Sequence, residues 1–416
     1  AELDSSSLQP GAVARLRQVL GVTWLGLGEG ARSRAVFDAA LAQQDVPAAL
    51  RDELLLGRAR SAISVGDYAE GERGLAALRA RREALAPALR IAMEESNAEL
   101  LRESGKQKEA VAALRTLLPQ ARGQLGADAQ RTLGLQLQLA SALQLDGDYT
   151  AALGVARDAI ERHTRVFGAN HPQTLFAWNQ IGVIENKLGH TAEAEAAFRR
   201  AAEGRLAVLG ENHPATVMSQ FNLGSFLIEH GRAAEGVPLV RSASGWLDAN
   251  RPEGDDKVLV ARSVLAYGLE DQGDLDGAER LLRGLLAAQE RRGGPGAPDT
   301  FAPRNNLAML LMKRGRLDAA LVEFDILTAQ VRARLGDEHP FAAIFASNRG
   351  ECLTRMGRIE EARRVLEASL ARLKARFGAD HERSRTAAQR LAVVYDKLGM
   401  QREAAMLNAA APVAAK

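Results

Sequence analysis

Four histidines, His171, His213, His339 and His381, recur at one place in a repeated sequence. Histidines at a fixed spacing first suggest metal chemistry. Zinc ligands must all lie about 2 Å from one ion. Equivalent positions in stacked helical hairpins are at least one helix packing distance apart, roughly 10 Å. One ion therefore reaches only one of them, no metal is expected, and the expected role is to cap the linkers in which they sit. Residues 22–31, VTWLGLGEGA, imitate a strand leading into G-x-G-x-x-A, with Asp45 near the place of the acidic partner. A dinucleotide-binding turn needs a strand before it and a parallel sheet after it. Nothing downstream supplies further strands, so a helix–turn–helix is expected and no cofactor. Cys352 is the single cysteine, which excludes an intramolecular disulfide and a Cys-based zinc site. It lies mid-helix in ECLTRMG and reads as a small buried hydrophobe. The sequence contains no G-x-x-x-x-G-K-[ST], no H-E-x-x-H and no G-x-S-x-G, so no catalytic constellation is legible and no enzyme is expected. The arginine pairs Arg199–Arg200, Arg291–Arg292 and Arg363–Arg364 fall on second helices, where nearby acids would make them solvated faces.

The elements that must position these residues follow from composition. Aromatics make up 4% of the 416 residues, while alanine occurs 77 times. Alanine is the best helix former and lets helix axes approach closely, which argues for an all-α chain and against a sandwich or barrel. The 54 Lys and Arg nearly balance 52 Asp and Glu, a net +2. That leaves no basic field for nucleic acid. No run of 18 apolar residues is present, so no membrane insertion is expected.

A glycine punctuates the chain at Gly66, Gly105, Gly147, Gly189, Gly231, Gly273, Gly315, Gly357 and Gly399. The first spacing is 39 residues and the next seven are all 42. A small residue stands seven before each glycine, as in Gly182 and Gly350, and another five after it, as in Ala194 and Gly236. This is the signature of one helical hairpin per repeat. The glycine ends the first helix in the left-handed conformation, and the small residues stand where the two helices approach. One hairpin cannot bury its apolar faces alone, so the repeats must stack. A second mark separates hairpins: FGANHPQT at 167–174, LGENHPAT at 209–216, LGDEHPFA at 335–342 and FGADHERS at 377–384, with weaker copies at 125–132 and 293–300. Proline there suits the first turn of the following helix. The stretch RPEGDDKV, 251–258, departs from this pattern.

These residues resemble the tetratricopeptide repeat. Its pattern is a Leu-Gly/Ala pair in the first helix, a glycine turn and an early alanine in the second. The 42-residue period with a G-x-x-H-P linker is similar to the kinesin light-chain variety, and residues 305–324, NNLAMLLMKRGRLDAALVEF, match best. The resemblance implies a right-handed superhelical solenoid of about nine to ten stacked antiparallel hairpins. It would comprise a degenerate capping hairpin over 1–44, the array over 45–410 and a tail over 411–416. Arrays of this type also resemble the C-terminal regions of bacterial Ser/Thr kinases and of membrane-bound winged-helix regulators. The chain starts at Ala1. With that start, the resemblance carries the expectation of a piece of a larger signalling protein, on the periplasmic side.

The residue just before the Leu-Gly/Ala pair reads Gln138, Gln180, Asn222, Val264, Asn306, Asn348 and Arg390. Asparagine is a mediocre helix former, so its recurrence inside a helix needs a reason. In the family this face lines the concave groove, where asparagines bind the backbone of an extended peptide. An amide offers both donors and acceptors and so can read a peptide group without reading sequence. Asn179 and Asn305 lie one residue earlier, and Ser225, Ser263, Ser347 and Gln389 are similarly placed. The alternative is that the amides bond neighbouring helices and stabilise the stack. Two departures stand out: Val264 interrupts the column, and Arg349 replaces the apolar member of its pair. Arg304 and Arg390 are the groove's candidate cations, favouring an acidic or C-terminal peptide. The expected function is a non-catalytic scaffold that holds a protein or peptide. The alternative is an extracytoplasmic sensor domain.

Overall fold

The computed structural model describes residues 10–410. Among them are twenty α-helices, two short 3-10 turns and no strand. They form two compact units, one ending at Gly210 and one beginning at Glu211. In the first unit α1 (Pro10–Gly26) pairs with α2 (Gly30–Leu41), α3 (Ala48–Ser64) with α4 (Tyr68–Arg79), and α5 (Pro87–Glu103) with α6 (Gln107–Leu125). Then α7 (Gln130–Asp146) pairs with α8 (Tyr149–Phe167) and α9 (Pro172–Leu188) with α10 (Thr191–Leu209). In the second unit the pairs are α11 (Pro214–Glu229) with α12 (Ala233–Asn250), α13 (Asp256–Asp271) with α14 (Leu275–Gly293), and α15 (Phe301–Lys313) with α16 (Leu317–Leu335). They continue as α17 (Pro340–Arg355) with α18 (Ile359–Phe377) and α19 (Glu382–Lys397) with α20 (Gln401–Ala410). The described residues thus form the all-α stack of hairpins that the period implies. Residues 411–416, read as a tail, lie outside them.

Each hairpin closes as its glycine dictates. Gly189 sits at φ +81°; its N–H donates to the Asn186 carbonyl at 3.1 Å and the His190 N–H to that of Glu185 at 2.9 Å. This pair of bonds satisfies the orphan carbonyls at the helix end and needs a residue at positive φ. A Cβ on Gly182 would lie 2.7 Å from the Phe198 ring, and one on Gly350 would lie 2.6 Å from Leu366. The small-residue column is thus a steric requirement.

The linkers are capped by the histidines. Nδ1 of His171, His213, His339 and His381 accepts the backbone N–H two residues on, from Gln173, Ala215, Phe341 and Arg383, at 3.2, 3.1, 3.2 and 3.2 Å. Pro172, Pro214 and Pro340 open the helices that follow. In the divergent 251–258 linker, Asp255 holds the histidine's place in the repeat and accepts the Lys257 N–H at 2.8 Å. The letters depart from the pattern there while the cap survives.

The cores differ between units. In the second, one continuous cluster runs from Ile228 in α11 through Phe324 in α16 to Val394 in α19. In the first, separate clusters centre on Phe37 and Leu54, on Leu75 and Met93, and on Leu114, Leu135 and Ile184. The 22–31 segment is the end of α1, a turn with Gly28 at φ +80°, and the start of α2, as the helix–turn–helix reading requires. Cys352 is buried, and its burial pushes the thiol above its ordinary value, the opposite of what a nucleophile needs. Arg291 pairs with Glu253 at 2.7 Å and Arg292 with Asp256 at 2.6 Å. Arg349 is held by Asp325 at 2.7 Å and Glu361 at 3.0 Å, which accommodates its departure from the family pattern.

Candidate binding faces of the first helices

The polar column divides into two chemical kinds. Gln138 donates to Glu95 of the preceding first helix at 2.8 Å. Gln180 donates to Ser141 at 2.5 Å and, more weakly, to the Leu137 carbonyl at 3.4 Å. Asn348 donates to Asn305 at 2.8 Å. Arg390 donates to Ser347 at 2.9 Å and to Asn348 at 2.8 Å, and forms an ion pair with Glu351 at 2.7 Å. Each of these side chains reaches back one repeat and ties successive first helices together. Asn306 is the exception. It is exposed and only accepts, at 3.4 Å, from its neighbour Asn305. The position 43 residues back, which Gln138, Asn348 and Arg390 all use, holds Ser263 in its case, and no hydrogen bond joins the two. Asn179, Asn222 and Gln389 are half-buried members of the same face. Ser225 turns its hydroxyl onto the Phe221 carbonyl at 2.7 Å.

Neither expected groove cation is available. Arg304 is buried between Glu290 and Glu323, 2.5 Å from each. Arg390 is neutralised by Glu351. The preference for an acidic or C-terminal peptide therefore loses its support, because both guanidinium groups already serve as bonds within the stack.

Three hollows open on first-helix faces. In the second unit one of about 620 Å³ is lined by Ser225, Ser263, Val264, Tyr267, Asn306 and Met309. Val260, Val264 and Tyr267 recur at i, i+4 and i+7 along α13, which places them on one face. Val260 is 52% exposed and Tyr267 58%. The valine that breaks the polar column is thus part of an apolar stripe beside an unengaged amide nitrogen. A smaller hollow of about 340 Å³ lies between α17 and α19 and takes in Gln389, Arg390 and Val393. Asn179, Asn222, Asn305, Ser347 and Asn348 are outside the linings of these hollows.

In the first unit a cleft of about 800 Å³ crosses α3, α5, α7 and α9. Of the polar column, Gln138 and Gln180 line it. Its floor includes His163 and Phe167 of α8. The His163 Nδ1 lies 2.7 Å from the Ala159 carbonyl, and burial holds the imidazole below its ordinary value. The ring is therefore neutral, with Nδ1–H donating. Burial raises the Glu99 carboxyl above the usual range, against the pull of Arg60 and Arg102.

Family models described as tetratricopeptide repeat match residues 131–207 and 341–411 and, separately, 264–333. Together these spans cover just over half of the chain. The chain belongs to the tetratricopeptide repeat family. No curated protein matches it. Among solved structures it is similar to the apo form of the quorum sensor NprR from B. thuringiensis. The TM-score is 0.59 and the identity 14%, over 86% of this chain and 98% of that one. NprR in complex with its cognate peptide NprX gives 0.51 and 14%, over 86% and 97%. Repeats described as kinesin light chain from Podosopora anserina give 0.46 and 21%, over 50% and 99%.

Within this tetratricopeptide array, sequence reasoning missed the register position six residues before each turn glycine. It holds Arg60, Glu99, Ser141 and Val183 in the first unit and Ser225, Tyr267, Met309, Glu351 and Val393 in the second. Reading that column beside the amide column would have separated the Arg60–Glu99 stretch from the Tyr267–Met309 stretch. Among the described residues no group of three or more His, Cys, Asp or Glu could hold a metal ion. No described helix is long and apolar enough to cross a membrane.

Proposed function

We propose that the chain is a non-catalytic scaffold that holds an extended peptide, or a peptide-like segment of a partner protein, against α11, α13 and α15. The observation that carries this reading is Asn306. It is an exposed amide whose nitrogen is unengaged, beside the apolar stripe of Val260, Val264 and Tyr267. The amide nitrogen can donate to a peptide carbonyl. The stripe supplies apolar area, and an exposed tyrosine is a common binding anchor. Glu270 at the border of the hollow is paired with Lys313 at 3.2 Å, so the occupant is chosen by the stripe and is an apolar segment. Asn222, Ser225 and Ser263 belong to this surface in the proposal. Asn305, Ser347, Asn348 and Arg390 are bonds of the stack, and Asn179, Gln180 and Gln389 are not part of the peptide surface.

The signalling context is part of the same proposal. NprR, described as a quorum sensor, binds its cognate peptide on a similar fold, which supports a peptide-responsive sensor within a larger signalling protein. The test is a random-peptide selection on the intact chain, followed by calorimetry of the enriched peptides. Asn306→Ala with Tyr267→Ala is expected to weaken them at least about tenfold. Unchanged affinity in that folded double variant overturns the reading.

A further inference from the structure

The cleft of the first unit holds two opposite charges without a direct ion pair: Arg60 acts on Glu99 only through space, pulling its carboxyl down against burial. Arg60 and Glu99 occupy the same register position in successive first helices, six residues before Gly66 and Gly105. Both are half-buried and both line the cleft. Among the described residues neither makes a hydrogen bond, nor an ion pair within 4 Å. Charged side chains at partly buried positions are ordinarily paired. The others in this cleft are: Arg131 approaches Glu95 at 3.6 Å and Arg102 meets Glu103 at 2.5 Å. A third group here is Gln180, which is 5% exposed. Its Oε1 is sealed from solvent with no hydrogen-bond partner. Its Nε2 is bonded to Ser141, which holds the register position next to Glu99. A sealed amide oxygen without a partner costs about 1–3 kcal/mol.

We infer that this cleft binds a small zwitterion, with the carboxylate on Arg60, the ammonium on Glu99 and a ligand N–H on the Gln180 Oε1. Packed helices lie roughly 8–10 Å apart, and two or three extended residues span about 7–10 Å. A di- or tripeptide with both termini free therefore has the length to reach from α3 to α5, the two neighbouring first helices that carry the charges. Phe176, 40% exposed at the cleft's edge, offers a ring to its side chains. A single anion would leave Glu99 facing it, and a single cation would leave Arg60. A ligand with both charges compensates both. An ammonium beside Glu99 also favours the ionised carboxylate that burial disfavours, so the affinity falls as acid protonates Glu99. This site is separate from the peptide surface on α11–α15 and does not depend on it.

The test is calorimetric titration of the full chain, at millimolar ligand and neutral pH. The probes are free amino acids and tripeptides with apolar side chains, each tripeptide also N-acetylated or C-amidated. The expected result is binding of the free zwitterion, with a loss of about tenfold or more for either capped form. Glu99→Gln is expected to abolish the penalty for acetylation and Arg60→Gln the penalty for amidation, while Asn306→Ala changes neither. Both substitutions fall at partly exposed positions, and circular dichroism confirms that the variants fold. Penalties that persist unchanged in the variants, or equal binding of capped and free forms, overturn the inference. So does the absence of binding by every probe.

Discussion

The unit ending at Gly210 presents Arg60, Glu99 and Ser141 to its cleft, where the unit beginning at Glu211 has Ser225, Tyr267 and Met309 at the same register position. At these hairpins the same face of the repeat is charged and hydrogen-bonded in the first case and largely apolar in the second. The interiors differ in the same molecule. Separate clusters hold the first unit's helices, while in the second a long cluster threads α11 to α19 beside smaller ones. Nearest-neighbour stacking sets the fold in both. What each face does depends on whether a side chain finds a partner one repeat back. Gln138, Gln180 and Asn348 find one and become bonds. Asn306 makes no bond to Ser263, which stands in the same partner position, and stays available.

The largest expected effect tests the cores. Phe324 and Phe37 are both fully buried, one in each unit. Replacing either by alanine should cost about 3–5 kcal/mol. The difference lies in the reach of the damage. Phe324→Ala should lower hydrogen-exchange protection from α11 through α19, because one cluster is weakened throughout. Phe37→Ala should lower it only in α1–α3. Equal spread in the two variants would show that cluster continuity does not control cooperativity here.

The next effect separates reader from bond on the polar column. Asn306→Ala should lower peptide affinity and leave the unfolding midpoint nearly unchanged, since the side chain holds no other helix. Asn348→Ala should do the reverse. It removes the bonds to Asn305 and Arg390, with a stability loss of about 1–2 kcal/mol and unaltered peptide affinity. Denaturant unfolding and calorimetry on the two single variants give all four numbers. An Asn348→Ala variant that keeps its stability but loses peptide would return that residue to the groove.

Much of the architecture is legible from the sequence because its causes are local. A turn that requires positive φ selects glycine, and two helices in contact select small residues. Both recur at fixed spacing through the 42-residue period. The histidine caps are equally local, since Nδ1 bonds the chain two residues on. Asp255 shows the limit of pattern matching. The carboxylate does the imidazole's work at the same place, and only the physical role reveals the match. The candidate site is less legible because it depends on pairs of residues about 42 apart. The Asn306 side chain reads the same as Asn348 until its neighbour one repeat back is considered. Arg304 looks like a groove cation until the fold places Glu290 and Glu323 beside it, which local spacing does not reveal. The charged cleft needs Arg60, Glu99 and Gln180 from three hairpins.

The smallest effect concerns pH and again divides the units. His163 is 1% exposed, and burial holds its pKa below the ordinary 6.5. Its register position in the second unit is taken by Leu247, Gln289, Val331 and Leu373, none of which titrates. Because the folded pKa is depressed, the unfolded chain binds a proton at higher pH than the folded one. The contribution to stability is therefore complete above the ordinary imidazole value and is lost as pH falls from there towards the depressed folded value. One such group gives a slope of at most about 1.4 kcal/mol per pH unit. Hydrogen exchange followed from pH 7.5 to 5.5, corrected for intrinsic rates, should show protection declining in α7–α9 beyond any decline in α13–α16. His163→Leu supplies the residue found at the equivalent place in α12 and α18, and it should flatten that decline in α7–α9 alone. An unchanged slope in a folded His163→Leu variant would assign the acid sensitivity to the exposed charges of the first unit.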